Sequence, residues 1–363
     1  MKIFKSLSCL CVVLGLLVVL TGCPSTANKE DFGNGSESSS MINQTKPTDP
    51  KGMVNFTFFD TVSYVYSYAG DTNEVFEAKV NGVWETLKKY HQLFDIYYEH
   101  SGVTNLKTLN DNAGGEAMVV DRELIDFLLY AKELYTLTNG EMNIMMGSVL
   151  KLWHDCREEG THIPTEEELL EAKKHTDISI LEIDTEKNTV RISDPDASVD
   201  VGALGKGYAT EKAAQYLKDN GADSYVLNIG GNIRIIGTKL DGSGWKTGIK
   251  NPADTSTFAS YITISNTSCV TSGDYERYFV VDGKRYHHII DKDTLMPASY
   301  FSSVTILTPD SGLADALSTA LFAMSYEDGL KLVNKIGNVD VLWITHSGEQ
   351  YMTDGFEKLT VKN

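Results

Sequence analysis

The spacing of apolar residues divides the chain into predicted elements. From Phe56 to Tyr68 the density of Phe, Tyr, Val and Thr predicts one or two strands. Residues 74–94 set Phe76, Val80, Val83, Trp84, Leu87, Tyr90 and Phe94 at helical intervals, an amphipathic helix. A second helix over 122–138 carries Leu124, Leu128, Ala131 and Leu134 on one stripe, with Gly140 just past its end. Thr165-Glu166-Glu167-Glu168 is a capping box that opens a short helix to Lys174. Residues 178–193 read as a hairpin turning near Glu186-Lys187-Asn188. A glycine-rich turn at 202–207 leads into a helix that runs to about Lys218 and stops at Asn220-Gly221. Strands at 224–229 and 232–238 flank Gly230-Gly231. Others follow at 245–250, 258–265, 276–281 and 284–290, with Asp282-Gly283 as a hairpin turn. Helices at 311–325 and 326–336 precede strands at 340–345 and 349–353. Without a regular βαβ rhythm, the pattern predicts an α+β fold of mixed sheets with flanking helices.

The first 50 residues do not fit that scheme. Lys2 and Lys5 precede an apolar run from Leu10 to Leu20, too short for a comfortable membrane span and flanked like an export signal. The run ends in Leu20-Thr21-Gly22-Cys23, which resembles a bacterial lipoprotein signal. That resemblance implies removal of residues 1–22 and acylation of Cys23, leaving the protein lipid-anchored on the extracytoplasmic face of the cell membrane. Residues 23–50, rich in Ser, Asn, Thr, Pro and Gly, then read as a disordered tether. Residues 51–363 form the globular unit, long enough for a large core.

Charge and cysteines narrow the chemistry. Fifty acidic residues against 32 basic ones give a net charge of −18, which argues against nucleic acid as a partner. Any bound diphosphate therefore needs a local positive charge, such as a metal ion. Cys9 and Cys11 leave with the signal, and Cys156 and Cys269 read as free, packed thiols. No CxxC pair or Cys/His cluster points to zinc or haem.

Three segments carry polar groups in patterns suited to a phosphate ligand. Asp200-Val201-Gly202-Ala203-Leu204-Gly205-Lys206-Gly207 lets backbone approach a ligand closely and aims N–H groups at an anion, with Lys206 adding charge. It is neither a Walker loop nor a GxGxxG fingerprint, and by itself fits a tight strand-to-helix turn equally well. In the helix starting near Gly312, Asp315 and Thr319 share a face with Ser318 beside them, plausible oxygen ligands for Mg²⁺. The same residues suit a dipole-favoured Asp and a Thr bonded back to the backbone. In Tyr286-His287-His288-Ile289-Ile290-Asp291 only one of the paired histidines can face a given site. Next to a bound phosphate, such a histidine is a credible general base.

In this order, the segments resemble the ApbE-type FAD:protein FMN transferase family. Its members carry an Asp-x-Gly-Ala-x-x-Lys-Gly loop, a His-Ile-x-Asp strand and an Ala-Asp-Ala-x-x-Thr-Ala helix, matched here around Asp200, His288 and Asp315. Phe59-Asp60-Thr61 and Gly140-Glu141-Met142-Asn143-Ile144 match more weakly, and the similarity runs from about 56 to 345. The resemblance implies an ApbE/T-fold-like architecture with the ligand site between the Gly-rich loop and a C-terminal helix. It implies Mg²⁺ held by the Ala203 carbonyl, Asp315, Thr319 and Ser318. Contacts to FAD, the substrate, would come from Phe59, Tyr97, Glu141, Met142, Asn143, Asp200, Lys206 and Ile289. His288 would be the catalytic base, with Asp291 a weaker alternative. Asn143 departs from the pattern, since many relatives have Asp there. The implied reaction moves FMN from FAD to a Ser or Thr hydroxyl of an exported or membrane electron-transfer protein, releasing AMP. Two rivals stay open: a Mg²⁺-dependent FAD pyrophosphatase giving FMN and AMP, and a non-catalytic FAD-binding lipoprotein.

Overall fold

A computed structural model describes residues 50–361 of the chain; the signal, Cys23 and nearly all of the tether lie outside the described residues. Among the described residues no helix is long and apolar enough to cross a membrane. The fold is α+β and is built on one eight-stranded sheet. In spatial order its strands are Lys51–Asn55, Ser63–Ser67, Ser224–Ile229, Asn232–Gly237, Ser268–Gly273, Ser303–Thr308, Asp340–Ile344 and Gln350–Met352. Spatial order equals chain order, and every neighbouring pair is antiparallel. The three smaller sheets are antiparallel as well, so the expectation of mixed sheets is corrected. The physical reason lies in the connections: sequence neighbours pair through turns and excursions, without a right-handed crossover that would bring parallel strands together.

The middle strands are covered on both faces. Tyr225, Leu227 and Ile229 meet the helices Asn73–Phe94 and Gly205–Asp219. Val270, Val304, Ile306, Val341 and Trp343 meet the helix Ser311–Phe322. The opposite face, with Val226, Ile235, Cys269, Leu307, Leu342 and Ile344, packs on the ribbon Trp245–Asn251/Asp254–Ile264 and on Phe356 of a C-terminal helix. Burial on both sides erases period-two alternation. The strands Ser268–Gly273 and Ser303–Thr308 therefore escape the pattern, the more so because Ser and Thr fill many of their positions. The Thr271 and Thr305 hydroxyls satisfy each other across the pair at 2.8 Å.

The predicted helices at 74–94 and 122–138 form as Asn73–Phe94 and Arg122–Leu137, and the Thr165 capping box forms with both of its hydrogen bonds. The helix Gly147–Glu159 was not anticipated. Its Trp153 stacks on Tyr286 and donates to the Leu295 carbonyl at 2.9 Å, anchoring the hairpin Tyr278–Val281/Lys284–His287. Cys156 and Cys269 are free and buried.

Leu321 is fully buried on the sheet-facing side of the Ser311–Phe322 helix. Leu321→Ala should lower the unfolding free energy by about 2–5 kcal/mol, read from urea midpoints at unchanged slope.

Candidate functional site at the junction of two helices

The Gly205–Asp219 helix reaches the site with its N-terminus, and the Ser311–Phe322 helix with its first turns. They touch where one side chain is missing. A Cβ on Gly207 would lie 2.3 Å from the Asp315 Cβ and 2.4 Å from the Ser311 carbonyl oxygen, so only glycine permits this approach. The Gly207 N–H then donates to Asp315 Oδ2 at 2.8 Å. Gly207 is the third residue of its helix, so its N–H is one of the N-terminal donors that find no partner inside the helix. The Ala203 carbonyl, just before the helix, has no backbone partner among the described residues.

The neighbours hold this junction in place. Glu211 accepts from the nearly fully buried Arg234 at 2.8 Å and from the Ser311 N–H at 3.0 Å, tying strand Asn232–Gly237 and both helices together. Asp310 caps the second helix through the Leu313 N–H at 2.8 Å. Burial raises the Asp315 carboxyl pKa, against the pull of Lys206, whose ammonium lies 3.8 Å away, and of the Gly207 N–H. Ser318 is fully buried; its hydroxyl donates to the Asp315 carbonyl and meets Ser272 Oγ, each at 2.8 Å. Both contacts keep that hydroxyl inside the protein, in a role that orients the helix. The Thr319 hydroxyl makes no hydrogen bond among the described residues and is half-exposed.

His288 follows directly on the strand Lys284–His287. Its N–H donates to the Arg277 carbonyl at 3.0 Å, while its ring Nδ1 is buried without a partner. Burial, then the charges of Arg277, His287 and Lys206, push its pKa down to about 3, so the ring is neutral at ordinary pH. His287 points the other way: its ring bonds the Ala298 carbonyl at 2.8 Å and accepts the Ile289 N–H at 3.2 Å. Asp291 accepts the N–H groups of Asp293 and Thr294, both at 2.8 Å, which makes it a turn residue.

Asp200 accepts from the Gly202 N–H at 2.8 Å and has a pKa raised by burial, opposed by that bond, His154, Arg277 and Arg157. Several cations thus converge on one loop of an acidic protein. Tyr97 is exposed and lies against His154 at 5.6 Å between ring centroids. Phe59 sits on a turn at φ 55°, followed by Asp60 at φ 50°. Glu141 pairs with Lys292 at 3.3 Å, and burial still raises its carboxyl pKa.

Three of the expected FAD contacts have little to offer a ligand. Met142 is buried in the core and exposes no surface. Asn143 spends its amide on the Thr176 carbonyl and the Met145 N–H, both at 2.9 Å. Ile289 is buried with both backbone groups engaged. Arg277, Lys292 and Asn232 were missed. Asn232 is buried beside Asp315, and its side-chain nitrogen has no partner of good geometry. The Gly230-Gly231 pair just before it was the only available signal.

The ApbE family model matches residues 57–343, which contain every element of this junction. The chain belongs to the ApbE family. The FAD:protein FMN transferase of Treponema pallidum (strain Nichols) is 34% identical over 254 residues, covering 66% of this chain and 70% of that one. Its counterpart in Klebsiella pneumoniae (strain 342) is 29% identical over 271 residues, covering 74% and 83%. The crystal structure of the ApbE protein from Thermotoga maritima aligns with a TM-score of 0.78 at 30% identity, over 86% of this chain and 100% of that one. The flavin transferase ApbE from Vibrio cholerae aligns with a TM-score of 0.73 at 26% identity, over 86% and 100%. These crystal structures share the antiparallel α+β architecture described above.

Two tests probe this ApbE junction. Gly207→Ala should cost about 1–3 kcal/mol by urea unfolding, because neither the Ser311 backbone nor the Asp315 Cβ can give way freely; Gly202→Ala, where an added Cβ meets only the Asp200 side chain at 3.2 Å, should cost less. His288, neutral when folded with a pKa near 3 and near 6.5 when unfolded, makes the unfolded chain bind the extra proton. Stability should therefore fall as pH drops from about 6.5 towards 3, and His288→Gln should weaken that dependence in paired denaturation curves.

Proposed function

We propose that the chain is an FAD:protein FMN transferase whose site is the cleft between the Gly-rich loop and the Asp315 helix. The observation that carries the reading is the Gly207–Asp315 hydrogen bond. It draws two motifs 108 residues apart into one site. The Ala203 carbonyl, Asp315 and the open Thr319 hydroxyl make an all-oxygen donor set, which suits Mg²⁺. Ser318 supports the set from behind through its bond to the Asp315 carbonyl. Bound there, Mg²⁺ supplies positive charge to the FAD diphosphate and its departing AMP.

The chain's own residues do the rest. The Lys206 N–H at the start of the Gly205–Asp219 helix, without a partner among the described residues, is available to the diphosphate, and the Lys206 and Arg277 side chains offset its charge. Tyr97, Phe59 and Glu141 are the contacts that the family resemblance implies for the flavin and adenine. The hydroxyl of a Ser or Thr on the acceptor protein attacks the FMN-side phosphorus. A phosphoester forms, the P–O–P bond breaks and AMP leaves. His288 takes the hydroxyl proton on its imidazole ring. Its low basicity belongs to the cation-lined, anion-free site; an arriving diphosphate stabilises the imidazolium and raises the pKa.

The remaining parts of the reading come from the N-terminal sequence and the family's chemistry. Cys23 carries the lipid, residues 23–50 tether the 51–363 unit to the extracytoplasmic face of the membrane, and the acceptor is an exported or membrane electron-transfer protein. Cys23→Ser should move the chain from the membrane fraction to the soluble one.

Mass spectrometry of an acceptor domain incubated with the chain, FAD and Mg²⁺ tests the reaction: one FMN should be added and AMP released. Asp315→Ala should abolish both while near-native circular dichroism persists; normal Mg²⁺-dependent turnover in that variant would remove Asp315 as a ligand. His288→Ala should cut turnover by about 10²–10⁴-fold with far less effect on FAD affinity. Release of FMN and AMP without an adduct would favour the pyrophosphatase.

A further inference from the structure

At the end of the Asn73–Phe94 helix His91 and the capping Asp95 stand one turn apart, and the chain returns to bring His100 beside them. One ligating atom from each lies within 4.8 Å of the others, and none of the three is exposed. The carboxylate is aimed. Its Oδ1 is held by the Tyr97 and Tyr98 N–H groups at 2.8 and 2.9 Å, leaving Oδ2 for His100 Nε2 at 3.0 Å. Such orientation of a carboxylate from behind is typical of metal ligands. Burial, opposed by the Asp95 charge and aided by His100, keeps His91 below the usual histidine range and so neutral, the form that ligates. Two imidazoles and a carboxylate suit borderline transition metals, whereas Mg²⁺ prefers oxygen alone.

We propose that His91, Asp95 and His100 bind one transition-metal dication of the Zn²⁺, Ni²⁺ or Co²⁺ class, and that loading this site releases the turn at Phe59. The release follows from the imidazole itself. The Phe59 N–H donates to His91 Nδ1 at 3.4 Å. A metal on Nδ1 takes that lone pair; a metal on Nε2 moves the ring proton to Nδ1 and turns the acceptor into a donor. Either way the Phe59 amide loses its partner. Phe59 and Asp60 both hold positive φ without being glycine, so the turn they form has strain to relieve.

The test is titration of the full chain with Zn²⁺ in excess Mg²⁺, followed by calorimetry. One equivalent should bind, and His91→Gln and His100→Gln should each weaken it more than about 100-fold. His175→Gln, in the more exposed group His175, Asp194 and Asp196, should leave that binding unchanged. Hydrogen exchange in the peptide spanning residues 56–62 should quicken when Zn²⁺ is added. Absence of binding, or one equivalent bound equally well by both histidine variants, would overturn the site. Unchanged exchange at 56–62 with the metal bound would overturn the coupling. Should either variant fail to fold, Cu²⁺ resonance on the unaltered chain decides: hyperfine splitting from two imidazole nitrogens supports the site, and splitting from one or none rejects it. None of these readouts depends on FAD or on flavin transfer.

Discussion

A backbone N–H at the start of one helix, bonded to a carboxylate on another, holds the site together. The contact between Gly207 and Asp315 exists because residue 207 has no Cβ, and it has several consequences. It brings a buried acid to the N-terminus of a helix, where the dipole favours negative charge. It also places Lys206 next to the same carboxylate. Behind it, the buried Arg234–Glu211 pair and the Ser311 N–H keep the two helices from sliding. A buried ion pair of this kind contributes little net stability, but removing one partner strands the other charge, so its effect is to fix geometry.

The large sheet makes that geometry rigid. Helices on one face and a ribbon with a short helix on the other bury both sides of its middle strands, and Asp315, Ser318 and Thr319 ride on a helix packed directly on those strands. The catalytic candidate His288 is placed differently. It follows a two-stranded hairpin that is held by Trp153, while His287 pins the turn through two backbone bonds. The site therefore lies between a rigid wall and a smaller element fastened to it at a few points.

Electrostatics run against the average. The chain is strongly acidic, yet Lys206, Arg277, Arg157 and His154 act on the Asp200 loop and the His288 ring. Positive charge concentrated in a cleft of an otherwise negative surface selects an anionic ligand locally without attracting polyanions in general. Burial, with the charges of Arg277, His287 and Lys206, holds His288 neutral.

Much of the fold was determined by sequence alone. The helices at 74–94 and 122–138, the Thr165 capping box and the strands at 224–229 and 232–238 rest on local periodicity and turn chemistry, which act over a few residues. The Asp200, His288 and Asp315 motifs were legible for the same reason. Tertiary structure alone decided which groups stay available to a ligand. Met142 goes into the core, Asn143 and Asp291 are spent on turns, Ser318 is satisfied by Ser272, and His91 meets His100. It also decided the strands Ser268–Gly273 and Ser303–Thr308 and the antiparallel order of the sheet. Local pattern reports how a residue repeats along its own element. Burial on two faces and competition among hydrogen-bond partners are set by neighbours distant in sequence, and leave no period to read.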